Sequence, residues 1–187
     1  MAGWILIAVT ALFVLWMILI YNRLITLRNE VKNAWCQIDV QLKRRHDLIP
    51  NLVSVVKGYM EFERDTLEKV VSARAKALSA AGLHDRAVAE DLLTLALGRL
   101  FAVVENYPSL KSNENVMQLQ EELTSTENRI SFARQLYNDL VANFRTKLEV
   151  FPDNIIASVF SFGTAEYFSA ESTDRSLPVA DISIGTK

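Results

Sequence analysis

The spacing of apolar positions changes repeatedly along this chain, and each change predicts an element. From Ala2 to Tyr21 twenty residues pass without a charge, AGWILIAVTALFVLWMILIY. As a helix this run is about 30 Å long, the hydrocarbon thickness of a bilayer. Beyond it, apolar or small residues recur at Leu24, Leu27, Val31, Ala34 and Ile38, in steps of three and four, with Trp35 and Leu42 widening the stripe. That is the pattern of a helix laid against other helices. The uncharged run is therefore expected to continue straight into a first body helix ending near His46.

The stretch RRHDLIPNLVSVVKGY, Arg44 to Tyr59, interrupts the pattern with a proline. Asp47 is a good N-cap, and proline is harmless in a first turn. Pro50 is therefore read as a helix break, where one helix ends and another starts; a single helix kinked at the proline is the other reading. The second helix is expected through Leu52, Val55, Val56, Tyr59, Phe62, Leu67, Val70, Val71 and Arg74 to about Ala80. Gly82 reads as a helix stop and Asp85 as the cap of a third helix carrying Leu92, Leu95, Ala96, Arg99, Leu100 and Val103. Pro108 ends that helix, and Ser112/Asn113 cap the fourth. There Val116, Leu119, Leu123, Thr126, Ile130, Ala133, Tyr137, Leu140, Phe144 and Phe151 keep three-four spacing up to Pro152. No segment alternates as a strand would. The expected fold is all-α: an N-terminal transmembrane helix continuing into an antiparallel up-and-down four-helix bundle. The chain divides into an anchor (1–21), the bundle (22–152) and a partly ordered C-terminal segment (153–187), loose from Leu177 onward.

Charge refines the first element. A signal peptide would need a basic start, a shorter apolar core and a small-residue cleavage site, so the run is expected to stay as an anchor. Trp4 and Tyr21 lie towards its two ends, at headgroup level. Residues 22–46 hold Arg23, Arg28, Lys32, Lys43, Arg44 and Arg45 against Glu30 and Asp39. The positive-inside rule then places the N-terminus outside and the body in the cytoplasm, as a single-pass protein. Arg23 and Arg28 are the candidates for lipid headgroups. With 20 basic and 22 acidic residues the chain does not have the balance of a nucleic-acid binder. Its one cysteine, Cys36, allows no internal disulfide and reads as a small buried hydrophobe.

The search for chemistry yields no constellation. A di-metal bundle wants Glu-x-x-His on two helices, but Lys43 and Ala81 stand three residues before His46 and His84. Arg44 and Arg45 beside His46 oppose a dication, and a zinc site on the lone cysteine has no support. Nucleophile-elbow, phosphate-loop and dinucleotide motifs are absent. Neither a metal nor a cofactor is expected. The basic cluster Lys43–His46 lies about 30 Å along the helix from the membrane, beyond a Debye length, which favours pairing with acids of neighbouring helices. Ile155, Ile156, Val159, Phe160 and Phe162 form an apolar run that covers the bundle end, touches the membrane or docks a partner.

The segment YNRLITLRNEVKNAWCQIDVQLKRRHDLIPNLVSVVKGY resembles the signature of the LemA family of bacterial membrane proteins. The segments TLEKVVSARAKA, ENYPSLKSNENVMQLQEELTSTENRISFARQLYNDLVANF and FPDNIIASVF with a later YF agree with it. The matching positions are Arg28, Asn29, Trp35, Asp39, Gln41, Arg44, Arg45, Asp47, Pro50, Asn51, Glu127, Asn128 and Arg129. Many members carry a histidine where this chain has Phe62, which weakens a metal reading further. The resemblance implies a membrane helix followed by an antiparallel helical bundle, with no established enzymatic activity or cofactor. On this pattern Asp39 and Gln41 are expected to pair across the bundle with Glu127 and Arg129.

The expected function is a non-enzymatic, membrane-anchored scaffold or adaptor. Its partners would be the bilayer and other copies of itself, with Trp35, Phe62 and Phe144 supplying apolar surface. An accessory subunit of a membrane protease or envelope-stress complex is the alternative. A hydrolase or metal enzyme using the Arg44–Asp47 cluster is the third reading.

Overall fold

The computed structural model describes residues 1–58 and 63–169. Among them the regular structure is entirely α-helical: α1 (Ala2–Lys57), α2 (Arg64–Ser79), α3 (Leu83–Val104), α4 (Pro108–Lys111), α5 (Glu114–Glu149) and α6 (Asp153–Val159). The expectations for Tyr59, Phe62 and the residues from Leu177 lie outside the described residues. α1 has 56 residues, about 84 Å of helix. Its first part is long and apolar enough to cross a membrane, and almost none of that window is buried within the protein. From Leu24 onward one face is buried, through Leu24, Val31, Ala34, Ile38 and Leu42.

Of the two readings of Pro50, the structure has the single helix and not the break. Pro50 lies inside α1, which runs on to Lys57, so Asp47 is an exposed mid-helix residue and not a cap. α1 ends at Lys57 and the next described helix begins at Arg64. A proline inside a helix removes the bond to the carbonyl four residues earlier, here that of His46. That carbonyl accepts from Arg74 Nε of α2 at 2.9 Å. A guanidinium from the neighbouring helix thus replaces the missing amide.

Two further boundaries differ. α3 starts at Leu83, directly after Gly82, whose φ of +90° is a conformation glycine adopts without strain. Asp85 sits in its first turn and suits the positive end of the helix dipole. Pro108 opens the short α4 after α3 has ended at Val104. Asn113 caps α5 as expected, accepting from the amides of Asn115 and Val116 at 3.0 and 3.2 Å.

α1 packs along α5, and α2 packs on α3. Contacts between α1 and α5 run in opposite chain directions: Arg44 meets Glu122, Arg45 meets Glu127, and Trp35 meets Tyr137. One apolar cluster joins Ile49, Leu52 and Val56 to Val70, Leu93, Leu97, Leu100, Val116 and Leu123. A second joins Val31, Ala34, Ile38 and Leu42 to Ala87, Ile130, Tyr137, Val141, Phe144 and Phe168. A third, smaller one sets Ile20 and Leu24 against Ile156 and Ala157.

Candidate functional site

Between the first two apolar clusters lies a layer of charge. On α1 it falls between Leu42 and Ile49, on α5 between Leu123 and Ile130, and on α3 between Ala87 and Leu93. Arg45 is its centre, with no exposed surface. Its guanidinium contacts the carboxylates of Glu90 (α3) and Glu127 (α5). It also donates from Nη1 to Thr94 Oγ1 at 2.8 Å and from Nη2 to the Glu90 carbonyl at 3.3 Å. His46 Nε2 lies 2.8 Å from Glu90 Oε1. Thr94 Oγ1 stands 3.1 Å from both Glu127 Oε1 and the Glu90 carbonyl.

Burial alone would raise the pKa of Glu90, but the hydrogen bond from His46 and the charge and hydrogen bond of Arg45 outweigh it. The carboxyl is thus held below its ordinary value and stays ionised. An ionised Glu90 can only accept, so His46 donates from Nε2. Arg45 Nε and His46 Nδ1 are buried without a hydrogen-bond partner. Of the charged side chains in the layer, Glu127 is the one that reaches solvent, at 36% exposure. The layer is closed on Arg45 and Glu90, with each charge answered from a different helix. Such an arrangement fixes which turns face each other.

The other expected site residues separate from this layer. Asp39 pairs with Arg86 of α3, whose guanidinium also lies over the Trp35 ring at 5.5 Å. Arg44 reaches Glu122 at 3.7 Å across a half-exposed surface. The expected pairing of Asp39 and Gln41 with Glu127 and Arg129 is therefore replaced. Glu127 belongs to Arg45, while Gln41 Oε1 is buried without a partner. Gln41 and Arg129 instead line a shallow groove with Cys36, Val40, Phe132 and Leu136. Cys36 is exposed, contrary to expectation, because the buried face of α1 is set by Ala34 and Ile38. Two residues from each, it points away from both. Trp35 and Phe144 do not supply an outer surface. Phe144 is buried, and Trp35 packs on Tyr137 and Phe168 with ring centroids 5.8 and 5.6 Å away. The exposed apolar side chains there are Val40, Phe132 and Leu136, at 62%, 73% and 45%.

Near the apolar run, Tyr21 packs on Phe160 and Phe162, with centroids 4.8 and 5.8 Å apart. Arg28 lies over the Phe162 ring at 5.4 Å. Trp4 and Arg23 are exposed. Beyond α6 the chain returns along α5. Asn138 holds the Phe168 backbone through both amide atoms, at 2.9 and 3.2 Å, and Tyr137 donates to the Glu166 carbonyl at 2.8 Å.

Sequence reasoning missed Glu90, Thr94 and Arg74. The signal for Glu90 was present. It stands at three-residue steps between Ala87 and Leu93, an acid on what proves to be the buried stripe of α3.

Residues 34–181 match the model of the LemA family, a match that begins past the uncharged run. The chain is 28% identical over 156 residues to Protein LemA of Metamycoplasma hominis, covering 82% of this chain and 71% of that protein. It is 25% identical over 182 residues to magnetosome protein MamQ 2 of Paramagnetospirillum magneticum, covering 83% and 67%. Magnetosome protein MamQ of Magnetospirillum gryphiswaldense is 23% identical over the same shares.

Proposed function

Because the chain belongs to the LemA family, we propose that it is a membrane-anchored, non-enzymatic helical scaffold or adaptor that self-associates. The observation that carries this is the change of character within α1. Its uncharged first part offers apolar side chains on every side, whereas the part after Leu24 buries one stripe against α5 and α6. A helix apolar all round needs an apolar medium, and a single striped continuation needs only its neighbours. On this reading residues 2–21 cross a bacterial inner membrane once. Arg23, Arg28 and Lys32 then hold the body on the cytoplasmic side. The body is read as an antiparallel four-helix bundle of the later part of α1 with α2, α3 and α5, supported by the opposed contacts of α1 and α5.

The scaffold reading is supported by where the charges go. Arg45, His46 and Glu90 are spent on one another, fully or almost fully buried. Self-association is supported by the groove between α1 and α5, where Val40, Phe132 and Leu136 stand exposed. The test is in-cell photocrosslinking from Phe132 in the full-length protein, followed by identification of the product. Dimers or larger multimers of this chain are expected. Recovery of one dominant foreign membrane protein would move the role to an accessory subunit of a protease or stress complex. A freely soluble full-length protein would end the anchor reading.

A further inference from the structure

We infer that the outer face of α6 is a second membrane contact, resting in the interfacial region where α1 leaves the bilayer. The inference rests on the anchored reading of α1 and adds a separate element to it. The inner face of α6, Ile156 and Ala157, packs on Ile20 and Leu24, with Met17 and Tyr21 against the same cluster. Met17 and Ile20 belong to the uncharged run. α6 therefore stands beside the last turn of the span. Its outer face carries Ile155 and Val159, exposed at 49% and 67%, flanked by Phe151 at 74% and Phe160 at 50%.

The chemistry of this face is that of an interface-dwelling segment. From Asn154 to Ala165 there is no charged residue. The acid that opens α6, Asp153, is neutralised by Lys147 at 3.6 Å. Asn154 and Ser158 supply the polar side chains of the helix besides Asp153, so it has apolar residues on both its inner and outer faces. In water such a helix should bury both. Its neighbour fixes what covers the outer face. Tyr21 touches Phe160 and Phe162 directly, so the apolar surface of the span continues onto the two aromatics that follow α6. Lipid at the level of Met17 and Ile20, which α6 covers, meets α6 at the same depth. Arg28 over Phe162 and the exposed Arg23 supply cations where headgroup phosphates begin. Together α1 and α6 make a two-point footing that limits how far the body can tilt.

The test uses the full-length protein in nanodiscs of phosphatidylethanolamine and phosphatidylglycerol, made with and without brominated acyl chains. In a Cys36→Ser background, single cysteines replace Val159, Leu12 or Phe132 and carry an environment-sensitive fluorophore. Val159 and Leu12 should each lose several-fold of their emission to brominated lipid. Phe132, seventeen residues before the end of α5 and about 25 Å along it, should lose none. An unquenched Leu12 would overturn the anchored reading and this inference with it. A quenched Leu12 beside an unquenched Val159 defeats the α6 contact alone. In that case blue-shifted emission at Val159 would mean that protein, such as a second copy, covers the face. Equal quenching of Val159 and Phe132 also defeats it.

Discussion

The bond from Arg74 to the His46 carbonyl is expected to be energetically coupled to Pro50, and a double-mutant cycle measures that coupling. Arg74→Met keeps the aliphatic stem and deletes the donor that meets the carbonyl at 2.9 Å. A hydrogen bond from a charged group contributes about 1.5–3 kcal/mol. Because Arg74 is only half-buried, water competes, and the expected loss is about 1–2 kcal/mol. In a Pro50→Ala background the amide of residue 50 can close the bond to His46 itself, so the arginine becomes redundant there. The same Arg74→Met change should then cost under about 0.5 kcal/mol, giving a coupling of about 1 kcal/mol. Pro50→Ala alone should stabilise, since an interior proline disfavours a helix by about 3 kcal/mol relative to alanine. The assay is denaturant unfolding of the full-length protein in mild detergent, followed by far-ultraviolet circular dichroism. If the two changes add to within about 0.3 kcal/mol, Arg74 does not service that carbonyl, and the account of the unbroken helix fails.

Two further predictions concern the charged layer. Arg45→Met leaves the buried Glu90 carboxylate with His46 but without its guanidinium and should destabilise by about 3–5 kcal/mol, whereas Arg45→Met with Glu90→Met should recover most of that loss in the same unfolding assay. Equal losses for the single and double variants would contradict the pairing. The second concerns pH. Glu90 has a lowered pKa in the folded state, so its stabilisation is present above the ordinary carboxylate value of 4.5 and is lost as pH falls through the folded value. Tyr137 behaves oppositely: burial, then the charge of Glu166, raises its phenol, so stability should fall as pH climbs past 10. Unfolding midpoints across pH should therefore drop at both extremes. Glu90→Gln should flatten the acid limb, and Tyr137→Phe the alkaline one.

Where the apolar stripe was narrow, the sequence was legible. Past the uncharged run, the stripes of α1 and α5 are flanked mainly by polar residues, with Val40, Met117, Phe132 and Leu136 as exceptions. Their core positions Val31, Ala34, Ile38, Val116, Leu123 and Ile130 follow from spacing alone. α3 failed for the opposite reason. Leu92, Leu93, Leu95, Ala96, Leu97 and Leu100 are apolar on nearly every side, so periodicity cannot choose a face. The chosen stripe began on Leu92 and Leu95, which are 50% and 60% exposed. Choosing the wrong face hid Glu90, since an acid is conspicuous only on a stripe known to be buried. Pro50 left break and single helix both open for a tertiary reason: its cost is answered by a residue twenty-four positions away on another helix. The apolar surface for partners was also misassigned. Large aromatics such as Trp35 and Phe144 are those that cores absorb first, leaving Phe132 and Val40 outside.

The buried layer has a consequence that stability alone would not select for. Replacing buried ion pairs by apolar side chains is often neutral or favourable, so an internal Arg–Glu group is weak evidence for strength. Its effect lies in register. The stripes of α1 and α5 repeat every three to four residues, and sliding one helix along the other by a heptad would still match Leu, Ile and Val with Leu, Ile and Val. Such a slide carries Arg45 about 10 Å along the axis and strands it among Ile130 and Ala133 while Glu90 loses its partner. The apolar clusters tolerate the shift, and the charged layer does not. A slip of that size would also lift α6 away from Ile20 and Tyr21. The layer at Arg45 and the contacts of α6 at Ile20 and Leu24 thus constrain the same coordinate from two separate places on α1.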